Sequence, residues 1–336
     1  MIRIEQTRQG LSALGMGCWG FGGDYWKKQS RDLNRKTLVA ALRKGISHFD
    51  TAPAYGNGES EQILGQLLHK ELLKGSPERR ASISLTSKFF PTLPQNVYKG
   101  LARSLKRLMT DYLDVYYLHW PNDKCDIQGI MGELERARAE GLIRAVGVSN
   151  FTLAQMEKVN RYGRIDFCQT GYSLLWRYPE KEIIPWCMQE GVKVIAYSPL
   201  AQGLLKTRNL NKQYRDGTAT RKNSPPLLFP AGDPRRQLIF FRDEEGLLDV
   251  LNAFEEVISP LFTLQHGSLN WLKGREGIKG VLAGMRNPDQ VQTAGEAWIN
   301  PLPEELVDML DGISREYWRK LERINPDADN IWAHKR

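Results

Sequence analysis

Eight short apolar runs alternate with longer amphipathic ones, and that rhythm restricts the chain to very few folds. The runs are Leu14–Trp19, Ser47–Thr51, Ser82–Lys88, Leu113–His119, Ile143–Ser149, Phe167–Thr170, Val192–Ser198 and Ile278–Ala283. Helical spacing covers Arg35–Lys44, Glu59–Leu68, Gln95–Met109, Ile127–Glu140, Leu153–Asn160, Lys181–Gln189 and Leu247–Val257. In the first of these, Leu38, Ala41 and Leu42 share one face. Gly stands between helical pattern and strand at Lys44-Gly45, Glu140-Gly141, Glu190-Gly191 and Glu276-Gly277, where a left-handed residue can end a helix. Strands alternating with helices build a parallel sheet, and this count predicts an α/β fold of the closed (β/α)8 TIM barrel type. A doubly wound open sheet is the competing arrangement. It wants Gly-x-Gly-x-x-Gly after the first strand, and Gly20-Phe21-Gly22-Gly23 lacks that spacing.

Three segments depart from the alternation. Met1–Leu11 is expected to form an N-terminal hairpin closing the barrel bottom, and Pro303–Leu321 an extra C-terminal helix. Leu205–Phe240 is long, weakly periodic and rich in Gly, Pro, Asn and Arg, and a loop of that length is usually functional or disordered. Within it, Lys206–Lys222 carries six basic side chains against Asp216 alone. It reads either as a solvated loop or as a lid over a polyanion. A chain of 336 residues holds one such barrel, and residues 1–336 are read as a single domain.

The four cysteines, Cys18, Cys125, Cys168 and Cys187, are scattered, with no Cys-x-x-Cys pair. They do not read as a disulfide framework, and a reducing compartment fits best. The N-terminal MIRIEQTRQG has no apolar core of a secretory signal, and no apolar run reaches the length of a membrane span. A cytoplasmic protein is expected, with no membrane partner. The net charge of +8 suits a solvated basic surface or attraction of a polyanionic cofactor. No motif for nucleic acid accompanies it.

The chemistry is concentrated at strand ends. Asp50 ends the second run, Tyr55 lies in the turn after it, Lys88 ends the third run and His119 the fourth. In a (β/α)8 barrel all the carboxyl ends of the strands open onto one face. A phenol has a pKa near ~10 and is a weak acid at neutral pH; a neighbouring ammonium favours its ionised form. Lys88 can supply that charge, Asp50 can hold Lys88, and His119 can hydrogen-bond a carbonyl oxygen. Such a set suits protonation of a developing alkoxide. Taken singly, each residue has a plainer reading: a helix cap, a packing Tyr, a solvated Lys, a core His. Their order and placement together favour chemistry.

The order Asp50, Tyr55, Lys88, His119 resembles the catalytic tetrad of the aldo-keto reductases. GISHFDTAPAYGNGESEQILG, residues 45–65, is similar to the signature of that family, including its Glu61, Leu64 and Gly65. The resemblance implies a carbonyl-reducing oxidoreductase that takes a hydride from NADPH in preference to NADH, with Tyr55 as proton donor. It implies that Ser149 and Asn150, in Gly147-Val148-Ser149-Asn150-Phe151, and Gln169 bind the nicotinamide carboxamide. It implies that Tyr197 stacks on the nicotinamide, that Ser198 lies beside it, and that Leu200, Gln202 and Gly203 line the pyrophosphate. Gly17, Cys18 and Trp19 take the place of the first cofactor-contacting loop, and Asp50 counts among the cofactor-binding residues as well as in the tetrad. Gly284, Arg286 and Gln290 take that of the adenosine-phosphate site, with Arg286 on the 2′-phosphate. Thr293-Ala294 stands where the family often has Glu-Asn against the adenine.

On the substrate side, Trp19, Tyr25, Trp26, Phe89, Phe90 and Trp120 flank the tetrad and suggest an aromatic-walled pocket. Trp120, next to His119, is the wall residue favoured, and Trp19, Tyr55, His119 and Trp120 are the expected contacts of a small-molecule aldehyde or ketone. Two other classes stay open. One is a non-catalytic or regulatory nicotinamide-binding subunit, resembling the potassium-channel β-subunits. The other is a metal-dependent barrel hydrolase, which would want a His-x-His or similar cluster. His48-Phe49-Asp50 is not one, and His69, His266 and His334 are dispersed, so no metal site is expected.

Overall fold

The computed structural model describes residues 13–23, 28–206, 229, 232–258, 261–329 and 331. The expected hairpin over Met1–Leu11, the pocket candidates Tyr25 and Trp26, and the basic segment beyond Lys206 lie outside the described residues. Eight parallel strands form a closed barrel in chain order. They are β1 (Leu14–Gly17), β2 (His48–Asp50), β3 (Ser84–Phe89), β4 (Val115–Leu118), β5 (Val146–Ser149), β6 (Phe167–Gly171), β7 (Lys193–Tyr197) and β8 (Ile278–Gly284). Each falls on one of the apolar runs. β8 pairs with β1, placing Gly17 opposite Gly284. Inside the barrel, Val115, Tyr117, Ala145, Phe167, Ile195 and Leu282 pack together with Tyr197, the alternate side chains that a closed parallel sheet turns inward.

The chain falls into two compact units. The first, Met1–Thr170, Pro179–Tyr197 and Glu276–Gly295, carries the barrel strands; the second is Gly171–Tyr178, Ser198–Arg275 and Glu296–Arg336. In the first, the expected glycines end helices and lead into strands: Gly45, Gly141 and Gly191 have φ of 80°, 77° and 70°. The helix from Glu59 differs from its apolar pattern. It is α-helical only over Glu59–Ile63 and then widens into a π-helix over Leu64–Leu72. Helix Pro77–Ala81, too short for a periodic signal, went unexpected.

In the second unit, helices Glu244–Ile258, Leu264–Lys273 and Glu304–Ile324 surround buried Trp271, Phe254 and Leu310. The last is the expected C-terminal helix. Asp311 on it accepts hydrogen bonds from Arg177, Arg275, Arg315 and the Trp271 indole at 2.8–2.9 Å. After burial, which works against it, those donors hold its carboxyl down at about 2.

Candidate active site

Asp50 ends β2, Lys88 is one residue from the end of β3, and His119 follows β4 directly. Parallel pairing sets Asp50 beside Thr86, and Lys88 beside Tyr117. Side chains two apart on a strand face the same way, so Thr86 and Lys88 both enter the barrel. Lys88 is 1% exposed. Its ammonium donates to Asp50 Oδ1 at 2.5 Å, to the Thr51 carbonyl at 2.9 Å and to the Tyr55 hydroxyl at 3.2 Å. Burial works against the ammonium, but Asp50 and Tyr55 outweigh it and raise the Lys88 pKa. The second Asp50 oxygen accepts from Thr86 Oγ1 at 2.7 Å and from Gln169 Nε2 at 3.0 Å. An ionised carboxylate only accepts, so the Gln169 group facing it is the NH2.

The Tyr55 turn is held from behind. Gly56, Asn57 and Gly58 have φ of 61°, 51° and 89°, three left-handed residues in succession. Gly22 touches this turn so closely that a Cβ on it would lie 2.5 Å from both Gly56 N and Tyr55 C. Ser60, fully buried, accepts from Thr51 Oγ1 and donates to the Cys18 carbonyl, both at 2.8 Å. Its own N–H donates to the Tyr55 carbonyl at 3.2 Å. One hydroxyl thus ties the loop after β1 to the loop after β2.

Glu61 is 0% exposed and accepts from Ser87 Oγ at 2.7 Å and Arg107 Nη1 at 3.1 Å. Gly65 lets its helix meet helix Asn96–Leu108, since a Cβ there would lie 2.1 Å from the Arg107 carbonyl oxygen. These signature residues secure the helix behind Tyr55.

The electrostatics differ from the expectation in one respect. Burial raises the Tyr55 pKa above its ordinary value, and Lys88 lowers it only in part. Tyr55 therefore carries its proton at neutral pH. His119 is pushed well below its ordinary value by burial and then by Lys88, so its imidazole is neutral. Cys18 is buried, and burial followed by the Asp50 charge pushes its thiol up; it is no thiolate nucleophile.

Aromatic contacts reach the set from two sides. The Trp19 ring stacks on Tyr55 at 6.0 Å, the His119 ring meets Tyr55 edge-on at 5.9 Å, and Phe90 lies 4.9 Å from His119. Phe89 points away: it is 7% exposed and packs on Tyr116 and beside Gly100. Trp120 is half-buried.

Several further expected residues lie at or just beyond strand ends of the first unit. Ser149 ends β5 and pairs in register with Gln169 on β6. Asn150 donates to the His119 carbonyl at 3.0 Å and to Ser149 Oγ at 3.1 Å, and accepts from Tyr197 at 2.6 Å. Gly17 and Gly284 form a shelf without side chains where β1 meets β8, and a Cβ at Gly284 would meet nothing within 4 Å. Arg286 follows two residues after Gly284, its side chain 2.9 Å from where a Gly20 Cβ would be. Its carbonyl accepts from Gln29 Nε2 and from Thr37 at 3.4 Å, and its N–H donates to Gln290 at 2.7 Å.

Ser198, Leu200, Gln202 and Gly203 belong to the second unit. There Ser198, Ala201, Gln202 and Gly203 all have positive φ, of 53°, 44°, 59° and 93°. Such strained backbone concentrates at functional sites. Gln202 Nε2 donates to Ser198 Oγ at 2.7 Å within the coil.

A sequence profile of the aldo/keto reductase family matches residues 13–315. The chain belongs to the aldo/keto reductase family. It is an oxidoreductase that works with a nicotinamide cofactor. An NADH-specific methylglyoxal reductase of Escherichia coli is 33% identical over 348 residues, spanning 96% of this chain and 99% of the relative. A glycerol dehydrogenase structure from Gluconobacter oxydans superposes with a TM-score of 0.73 at 28% identity, over 97% of this chain and 96% of that one. An aldo-keto reductase from Klebsiella pneumoniae in complex with NADPH gives 0.67 at 25% identity, over 98% and 99%. Among the described residues, no helix is long and apolar enough to cross a membrane, and no three His, Cys, Asp or Glu side chains are grouped to hold a metal ion.

Proposed function

We propose that this family member reduces the carbonyl of a small aldehyde or ketone to the alcohol, with Tyr55 as proton donor and NADPH preferred over NADH. The observation that carries this reading is the buried chain from Asp50 through Lys88 to the Tyr55 hydroxyl, at 2.5 and 3.2 Å. Tyr55 holds its proton in the site and has an ammonium beside it to stabilise the phenolate left after transfer. Neutral His119 keeps one ring N–H to donate, and that donor orients the carbonyl oxygen. Trp19 and Phe90 wall that space, and half-buried Trp120, next in the chain to His119, is the further wall residue proposed.

The residues fit a nicotinamide cofactor. The shelf at Gly17 and Gly284 admits a backbone-hugging ligand, and the Arg286 side chain lies beside Gly20, three residues after Gly17. Ser149, Asn150 and Gln169 would hold the carboxamide. Gln169 gives one N–H to Asp50, and its carbonyl oxygen is the acceptor it offers the carboxamide. Tyr197 would face the ring; Ser198, Leu200, Gln202 and Gly203 the pyrophosphate; Cys18 and Trp19 the loop side; Arg286 and Gln290 the adenosine phosphate. When bound, the nicotinamide supplies the hydride to the carbonyl carbon.

On this reading residues 1–336 act as one barrel domain. Four free thiols fit a reducing, cytoplasmic setting. The test is a panel of aldehydes and ketones, methylglyoxal included because a relative is named for it, followed by loss of NADPH absorbance and repeated with NADH. Turnover of at least one carbonyl supports the proposal. No turnover of any, with a folded protein that binds the cofactor, overturns it.

A further inference from the structure

Asp50 touches neither the space beside His119 nor the Tyr55 hydroxyl; it acts through Lys88. What holds Asp50 is therefore part of what aims the proton donor. Its Oδ1 takes the Lys88 ammonium, and its Oδ2 takes Thr86 Oγ1 at 2.7 Å and Gln169 Nε2 at 3.0 Å. The carboxylate is a short, rotatable group. A single ion pair fixes a distance but not the plane, whereas donors on both oxygens fix the plane.

Thr86 is placed for this by the fold itself. It is the register partner of Asp50 across β2 and β3, it lies two residues before Lys88 on the same inward face, and it is 0% exposed. Its hydroxyl has a carboxylate opposite, so it must donate there. A Val would fill nearly the same volume and leave that Asp50 lone pair facing a methyl group.

We infer that Thr86 is a positioning residue for the proton donor: its hydroxyl orients Asp50, Asp50 orients Lys88, and Lys88 sets the Tyr55 hydroxyl. Gln169 supplies the second bond to the same oxygen. This links the strand expected to hold the carboxamide to the proton-donating chain. The inference rests on the proposed carbonyl reduction.

The test compares wild type with Thr86→Val and Thr86→Ser, each checked for melting temperature and for NADPH dissociation constant by fluorescence. Thr86→Val should lower kcat by about tenfold, the scale of one hydrogen bond to a charged group. The carbonyl KM and the NADPH dissociation constant should stay within about twofold, since Thr86 is 0% exposed and its hydroxyl is turned to Asp50. Thr86→Ser keeps the hydroxyl and should restore kcat. In an Asp50→Asn background, Thr86→Val should cost less than it does alone, because the two act in series. A Thr86→Val enzyme with wild-type kcat, beside an inactive Lys88→Met enzyme, would overturn the inference and leave the carbonyl reduction standing. So would equal losses in the Val and Ser variants. A wild type that turns over no carbonyl would instead remove the reading on which the inference rests.

Discussion

Gly22 and Gly56 meet backbone to backbone: a Cβ on Gly56 would lie 2.2 Å from the Gly22 carbonyl oxygen. The first belongs to the short turn of helix Trp19–Gly22, the second to the turn that presents Tyr55. Their contact sets how deep Tyr55 sits over Lys88.

Gly22→Ala should therefore displace the Tyr55 turn, because the clashing atoms are backbone and cannot rotate away. A misplacement near 1 Å can cost about 10²-fold in rate, and overpacking about 1–3 kcal/mol in stability. Steady-state kinetics and urea unfolding measure both. Unchanged kcat/KM would mean that the contact does not position Tyr55.

A stability prediction follows from the histidines. Burial holds His48 down at about 4, and burial with Lys88 depresses His119 further than its ordinary range. Unfolded, both titrate near ~6.5. Between about pH 4 and 6.5 the unfolded chain binds more protons than the folded one, so stability falls as pH drops through that window. His48 alone accounts for about 3 kcal/mol once the pH is below its folded value. Urea midpoints at pH 7 and pH 4.5 should differ, and His48→Asn should narrow the difference. An equal difference in that variant would show that His48 is not its source.

Glu61 and Arg107 test the helix behind the site. Arg107→Ala leaves a fully buried carboxylate with Ser87 as its remaining described donor, and should destabilise by about 3 kcal/mol. Adding Glu61→Gln should recover part of the loss by removing the orphaned charge. Thermal melts of the single and double variants decide it. A double variant no better than Arg107→Ala would place the cost in lost packing instead.

Cofactor preference turns on Arg286. A charge-assisted contact to the 2′-phosphate contributes roughly 1.5–3 kcal/mol, about one to two decades of preference for NADPH. Thr293-Ala294, in place of an adenine-contacting pair, should weaken both cofactors alike. Arg286→Ala should erode the preference by weakening NADPH and sparing NADH in direct titrations. Equal losses, or a wild type that already favours NADH, would show that Arg286 does not read the phosphate.

The sequence carried the site unevenly, for physical reasons. Asp50, Lys88 and His119 were legible because each is a polar residue closing an apolar strand, and a barrel brings strand ends together. Thr86 was not, since a Thr inside a strand looks like an ordinary β-former and its partner depends on the β2–β3 register. The alternation along β3 could have told Phe89 from Phe90: with Lys88 inward, Phe89 must point outward. Ser60 and Gly22 gave no signal, because what they do is set by loops meeting across distant parts of the chain. The π-helical widening after Ile63 is invisible to a period of 3.6. For Tyr55 the sequence shows the neighbour Lys88 that lowers its pKa, but not the burial that outweighs it, which is a property of the fold.

The proton donor is the centre of this account, and Tyr55→Phe tests it with the loss of one hydroxyl and little volume. Reduction of an aldehyde that wild type accepts should be followed by NADPH absorbance, with NADPH binding measured separately. Turnover should fall by ~10²–10⁴-fold while the dissociation constant for NADPH stays near that of wild type. Turnover equal to wild type in Tyr55→Phe would contradict it.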